Sequence, residues 1–189
     1  MKRIIILSVY LLFLGCRSGE IDPYTNGIVT GALFNGKPWE NTKLRIGFVN
    51  KCYNSIELVI EVNNEQGFKR ETFGFFKIPL KSGEYTVKKY LYENVVCLPD
   101  SLLNTKNVSA SYNTSQDDGD VGKDNYSILE NSREINKLVI SKYDGKSKYI
   151  SGEFSATFLL KRNADGTKRY FDSVDTIRIT KARFEASGF

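Results

Sequence analysis

The sequence predicts an all-β domain, an antiparallel sandwich or barrel of about eight to ten short strands with at most one short helix. Three observations carry that expectation. First, apolar residues recur with a period of two. Ile56, Leu58, Ile60 and Val62 alternate with Ser55, Glu57, Glu61 and Asn63, while Phe154, Ala156, Phe158 and Leu160 alternate with Glu153, Ser155, Thr157 and Lys161. Second, turn-forming clusters separate such runs: Asn63-Asn64-Glu65-Gln66-Gly67, Lys81-Ser82-Gly83-Glu84, Tyr143-Asp144-Gly145-Lys146 and Asn163-Ala164-Asp165-Gly166. Third, the 189 residues show no internal repeat and no shift of composition, which fits one domain with a sizeable core.

The first element is not part of that domain. Lys2 and Arg3 precede an apolar run from Ile4 to Leu14, and Gly15 then stands directly before Cys16. Eleven residues, apolar except for Ser8, are too few to cross a ~30 Å hydrocarbon core but match the apolar region of an export signal. A small residue followed by cysteine is the order at which a lipoprotein signal is cut and its thiol acylated. Residues 1–15 are therefore expected as signal peptide, Cys16 as the lipidated N-terminus, residues 16–26 as a polar tether and residues 27–189 as the domain. Two or three acyl chains on one residue give stable membrane attachment. Ordinary secretion is the alternative.

With Cys16 assigned to lipid, Cys52 and Cys97 remain as an even pair in an oxidising compartment, where a disulfide persists. A bridge between them would close a loop of roughly 45 residues and stabilise the fold by about 4 kcal/mol. Two buried free thiols are the alternative.

Within the domain, Leu44, Ile46 and Phe48, and Leu138 and Ile140, repeat the strand pattern. Two strands change phase. Phe73 and Phe75 share a face that Ile78 and Leu80 leave, and Ile177 and Ile179 share a face that Ala182 and Phe184 leave. A β-bulge or a bend between sheets is expected at each. The single helix candidate is residues 100–106, with Pro99 before it and Asp100 as a cap. Residues 113–125, rich in Asp and Gly, are expected to form the least structured loop.

Charge and residue types exclude several functions. Loss of Lys2 and Arg3 lowers the formal charge of +5 by two, and an exported chain with no basic-aromatic motif has no nucleic-acid role. There is no histidine, so serine–histidine and cysteine–histidine nucleophile systems are absent. Zinc is poorly served for the same reason, and no residue pattern calls for a cofactor.

Four local patterns are left. The run Asp117, Asp118, Asp120 and Asp124 is a calcium candidate, although Gly122 interrupts the ligand order of an EF-hand; a solvated turn is the alternative. Lys161, Arg162, Lys168 and Arg169 flank a turn and read as a solvated hairpin or as a phosphate or headgroup contact. Tyr53, Tyr90, Tyr92, Tyr112, Tyr126 and Tyr149 lie near strand ends, where they could stack on sugars or pack the sheets. Trp39, after Asn35-Gly36-Lys37-Pro38, reads as a core plug following a turn.

Three triplets, Asp100-Ser101-Leu102, Asp172-Ser173-Val174 and Asp175-Thr176-Ile177, resemble the O-glycosylation acceptor of exported Bacteroidota proteins. That resemblance makes Ser101, Ser173 and Thr176 acceptor candidates, with Thr176 expected to be the least accessible. More broadly, Gly31-Ala32-Leu33-Phe34-Asn35-Gly36-Lys37-Pro38-Trp39 resembles the opening strand and turn of uncharacterised Bacteroidota outer-membrane lipoproteins. Ile150-Ser151-Gly152-Glu153-Phe154-Ser155-Ala156-Thr157-Phe158, with Asp175-Thr176-Ile177-Arg178-Ile179-Thr180 and Arg183-Phe184, resembles their closing strand pair. Lys181-Ala182 stands where that family favours an Asn-Gly type of dipeptide. The resemblance implies a β-rich domain of unknown function and carries no catalytic residue across.

Together these readings describe a non-enzymatic binding or accessory module, lipid-anchored in the cell envelope. Arg17, in place of an aspartate beside the lipidated cysteine, favours the outer membrane; nothing in the residues chooses its periplasmic or outer face. A glycan-binding or glycan-active part of a nutrient-uptake system, or a subunit of a surface assembly, are the alternatives. The expected partners are the membrane, through the anchor, and envelope proteins or glycans.

Overall fold

The computed structural model describes residues 24–48, 54–89, 105–131 and 133–189. Twelve strands run through them: β1 (Tyr24–Thr30), β2 (Leu33–Phe34), β3 (Lys37–Pro38), β4 (Thr42–Gly47), β5 (Ser55–Asn63), β6 (Lys69–Pro79), β7 (Gly83–Lys88), β8 (Asn107–Gln116), β9 (Val121–Ile128), β10 (Lys137–Asp144), β11 (Tyr149–Leu160) and β12 (Thr176–Ser187). No helix occurs among the described residues. The expected all-β class is thus correct, and of the two architectures the chain takes the barrel.

Nine strands close the ring in the order β12-β1-β4-β5-β6-β8-β7-β10-β11, with β11 pairing back onto β12. Every pairing is antiparallel except β7 with β8, so the barrel is mixed. A parallel pair needs a long crossover, and the chain supplies one between Lys88 and Asn107. The remaining strands decorate the ring. β2 and β3 form a small hairpin on β12, turning at Asn35 and Gly36 with φ of 49° and 81°, the two positive values a tight two-residue turn demands. β9 bridges the far halves of β8 and β11.

Alternation decides what fills the ring. Leu44, Ile46, Ile56, Leu58, Ile60, Phe73, Phe75, Tyr112, Phe154 and Phe158 all point inward and are buried. The aromatic members touch one another: Phe73 and Phe75 lie 4.7 Å apart edge to face, and Phe154 is 5.1 Å from each. Such pairs contribute about 0.5–1.5 kcal/mol each beyond burial. Trp39 packs against this core through Phe34 and Phe73, and its Nε1 donates to Glu71 Oε2 at 3.1 Å, which agrees with its reading as a plug.

Both phase changes are bulges. On β6, Ile78 pairs with Ile56 but Phe75 pairs with Leu58, leaving an extra residue at Lys77, whose φ is 57°. On β12, Ala182 pairs with Phe154 but Ile179 pairs with Ala156, leaving an extra residue at Lys181, whose φ is 58°. The strand continues through Lys181-Ala182 without a turn. A third bulge, at Ser141 on β10, has no signature in the alternation.

Several expectations need correction. Strands number twelve, not about eight to ten. β1 starts at Tyr24, inside the expected tether of residues 16–26, because Tyr24 to Asn26 pair with β4. Residues 113–125 are not a loop. β8 and β9 extend through them as a hairpin, and only Asp117 to Asp120 turn. Lys81 to Glu84 does not join hairpin partners, since β6 pairs with β8 and β7 with β8 and β10. Most of the helix candidate at 100–106 lies outside the described residues, as do Cys16, Cys52, Cys97, Ser101, Tyr53, Tyr90 and Tyr92.

Candidate ligand site at one end of the barrel

Strand polarity sorts the loops to two ends. β1 enters at the end that holds Phe48, the turn between β10 and β11, and the C-terminal Phe189. The opposite end holds the turn between β5 and β6, the turn between β8 and β9, and the connection from β11 to β12. The basic residues singled out in the sequence lie at this second end.

That connection is ordered by local bonds. Lys161 N donates to Asn125 O at 2.9 Å, which prolongs the pairing of β11 with β9. Asn163 and Thr167 close the turn, and Asp165 Oδ1 accepts from Thr167 N at 2.9 Å. The return path is then strapped to the barrel. Lys123 Nζ meets Asp172 Oδ2 at 2.6 Å, Arg162 pairs with Asp175, and Lys168 Nζ reaches both Asp175 Oδ2 at 3.2 Å and Ser173 O at 2.8 Å. The Lys123 bond holds the Asp172 carboxyl below its ordinary range.

β9 alternates, so Lys123 and Asn125 face outward while Asp124 turns inward beneath the strap. Ser173 Oγ donates to Asp124 Oδ2 at 2.6 Å, and Asp124 N donates to Thr114 Oγ1 at 3.0 Å. Asp124 is only 5% exposed, and its Oδ1 has no hydrogen-bond partner. Nearby, burial pushes the Tyr126 phenol up to about 12, with the charges of Asp124, Asp175 and Asp172 adding to the effect. Burial also drives the Tyr112 phenol far above its usual value, helped by the charge of Glu71, and its buried hydroxyl lies beside that carboxylate without reaching hydrogen-bond geometry.

Over these groups lies a pocket of about 270 Å³ lined by Lys123, Asp124, Asn125, Lys161, Arg162, Asn163 and Arg169. Its lining carries four cations and one carboxylate. Among the described residues, Lys161 and Arg169 make no ion pair, so their charges are unspent. Arg169 lies 5.3 Å from the Tyr170 ring centre and Lys123 lies 5.7 Å from it. The next residue, Phe171, is 97% exposed, and Val174 is 52% exposed.

The structure separates the calcium candidates. Asp117, Asp118 and Asp120 are exposed on the turn between β8 and β9, whereas Asp124 is buried and bonded to Ser173. Asp118 and Asp120 hydrogen-bond each other, which lowers the Asp118 pKa and raises that of Asp120. No group of three or more His, Cys, Asp or Glu side chains among the described residues could hold a metal ion. The order of glycosylation candidates also changes: Ser173, not Thr176, is the less accessible. Ser173 is buried because its hydroxyl serves Asp124, while Thr176 at the start of β12 is half-buried.

Of the six tyrosines singled out, Tyr112 and Tyr126 pack the core, 5.5 Å apart edge to face. Tyr149 is half-buried and donates to Glu185 Oε2 at 3.2 Å. Sequence reasoning missed Lys123, Asn125, Tyr170 and Phe171. The available signal was Phe171 itself, a large apolar residue in a charged run with no strand alternation to bury it. Compared with protein-family models, with curated proteins and with solved structures, the chain matches none.

Proposed function

We propose that this protein is a non-enzymatic binding or accessory module of the cell envelope, held to the outer membrane by lipid on Cys16, which takes its ligand at the barrel end remote from that anchor. One observation carries the reading. β1 begins at one end of the barrel, and the cationic pocket with its unspent charges lies at the other. β12 runs between the two ends over 12 residues, about 40 Å at the usual rise. A lipid-tethered barrel built this way presents its loop end away from the point of attachment. The interior is filled by aromatic and branched side chains, which favours a surface pocket over an internal one.

Cell fractionation with mass spectrometry of the N-terminal peptide tests the anchor. The wild type is expected in the membrane fraction with an acylated Cys16, and Cys16→Ser is expected to leave that fraction. Recovery of unacylated wild-type protein in the soluble fraction would overturn the anchor.

A further inference from the structure

We infer that the pocket between β9 and the β11–β12 connection binds an acidic saccharide, a sugar ring bearing a carboxylate or a phosphate. The inference deepens the proposed function and rests on its reading of the loop end as the binding end.

Two unmet demands meet in the pocket, a third stands two residues beyond its lining residue Arg169, and each constrains the ligand. The first is for negative charge. Lys161 and Arg169 line the pocket without an ion pair among the described residues, while Lys123 and Arg162 are held on its rim by Asp172 and Asp175. Cations so fixed cost a ligand little ordering on binding. The second demand is for a hydrogen-bond donor. Asp124 belongs to the same lining, and its Oδ1 is buried with nothing to accept from. Leaving a buried acceptor unmet costs about 1–3 kcal/mol, more when it is charged. A fully ionised anion such as sulfate has no proton to donate and would be repelled by it, whereas a sugar hydroxyl beside an acid group meets both.

The third demand is for an apolar face. Phe171 is almost wholly in solvent, follows Tyr170, and Tyr170 lies against both Lys123 and Arg169. Phe171 is thus tied to the pocket through its neighbour Tyr170, and an exposed aromatic of this kind is a platform for the C–H face of a sugar ring that extends beyond the lining. The pocket's volume of about 270 Å³ lies just under the roughly 300–1,000 Å³ of drug-sized sites, which suits one ring held within and neighbouring rings on the surface. A bilayer of anionic lipid would satisfy the cations and Phe171. It would leave Asp124 Oδ1 unmet, and it would have to reach the barrel at the end opposite β1.

Isothermal titration of the detergent-solubilised full chain tests the inference with five probes: trigalacturonate, glucose 1-phosphate, the neutral trisaccharide maltotriose, inorganic sulfate, and phosphatidylglycerol-containing vesicles. At least one of the two acidic sugars is expected to bind about tenfold or more tighter than maltotriose and sulfate. Asp124→Asn keeps an acceptor for Ser173 but turns a donor toward the ligand, and is expected to weaken that binding by about tenfold. Lys161→Ala with Arg169→Ala is expected to weaken it at least as much, and Phe171→Ala by several-fold.

Sulfate binding as tightly as the sugars, with Asp124→Asn silent, would make this a simple anion site and overturn the saccharide. Vesicle binding without sugar binding would overturn it in favour of the membrane. Maltotriose binding as tightly as the acidic sugars, abolished by Phe171→Ala, would discard the acidic class yet leave the loop end as the binding end. Silence with all five probes would discard both.

Discussion

At the end where β1 enters, the interior closes on carbon: the Phe48 and Phe189 rings lie 5.9 Å apart, and Phe189 is the last residue of the chain. At the opposite end it closes on oxygen and charge. There Asp124 and Ser173 are buried under a strap of ion pairs, and Asp124 Oδ1 has no partner. The two closures do different work. An apolar plug needs nothing further once it is buried. A polar closure with unmet hydrogen-bonding capacity is less stable by itself and is ready for a ligand, the pattern expected where stability has been traded for recognition.

The comparison can be broken at several points. The largest expected effect lies nearer the apolar end, where Gly152 passes β10. A Cβ there would come within 2.0 Å of Val139 O and 2.9 Å of the Phe184 ring, both parts of the packed wall. Gly152→Ala is expected to cost more than about 3 kcal/mol or to prevent folding, read as loss of the cooperative unfolding transition. Phe189→Ala removes half of the apolar plug and is expected to cost about 3 kcal/mol in urea denaturation, with the same cost at low and high salt. A strong salt dependence would show that charge, not packing, closes that end.

At the polar end the expected effects are smaller. Tyr112→Phe deletes a buried hydroxyl that lies beside the Glu71 carboxylate without a formed hydrogen bond, so stability is expected to change by less than about 1 kcal/mol in either direction. A larger loss would mean that Glu71 accepts from the hydroxyl, and the polar end would then be closed more completely. The smallest effect concerns Glu134, which receives Arg178 at 2.8 Å and the Thr157 hydroxyl at 2.8 Å. The bond from Arg178, then that from Thr157, lowers its pKa. A lowered carboxylate pKa stabilises fully above the ordinary carboxylate range, and that contribution is lost as pH falls from there through the lowered value. Urea midpoints of the wild type are thus expected to fall more than those of Glu134→Gln between about pH 5 and pH 3. At neutral pH the pair should differ by under about 1 kcal/mol, because Arg178 is half exposed.

The strands were legible because each inward residue announces itself by period. Ile56, Leu58 and Ile60, or Phe154, Ala156 and Phe158, need no neighbour to be read as one face. The bulges at Lys77 and Lys181 were legible for the same reason: one added residue makes the inward phase resume a position late, and apolar side chains record the shift. Ser141 left no such record, since only Tyr143 follows it on β10 before the turn. The hairpin of β8 and β9 reads as a loop because its outer face is polar apart from Val121, with Asn113, Ser115, Lys123 and Asn125 there. The inward residues between Tyr112 and Tyr126 are themselves polar, Thr114 and Asp124 among them.

The candidate site was legible only in part. Lys161, Arg162, Lys168 and Arg169 stand out by local density, but Lys123 and Asp124 lie 37 and more positions earlier in the chain. Nothing in the sequence spacing places them under the same strap. Ser173 could be read as an acceptor for glycan because its triplet is local, whereas its burial against Asp124 is a contact across 49 positions.

By itself, then, the sequence determined the all-β class, the inward faces of most strands, the two phase shifts and the absence of histidine. These follow from residue identity and from spacings of a few positions, which the backbone converts directly into geometry. Tertiary structure alone decided that the sheet closes as a nine-stranded ring, that one pair in it is parallel, and that one end is sealed by phenylalanine and the other by a carboxylate with a free oxygen. Those outcomes depend on which strands pair across long stretches of chain, and a period of two is blind to the identity of the partner.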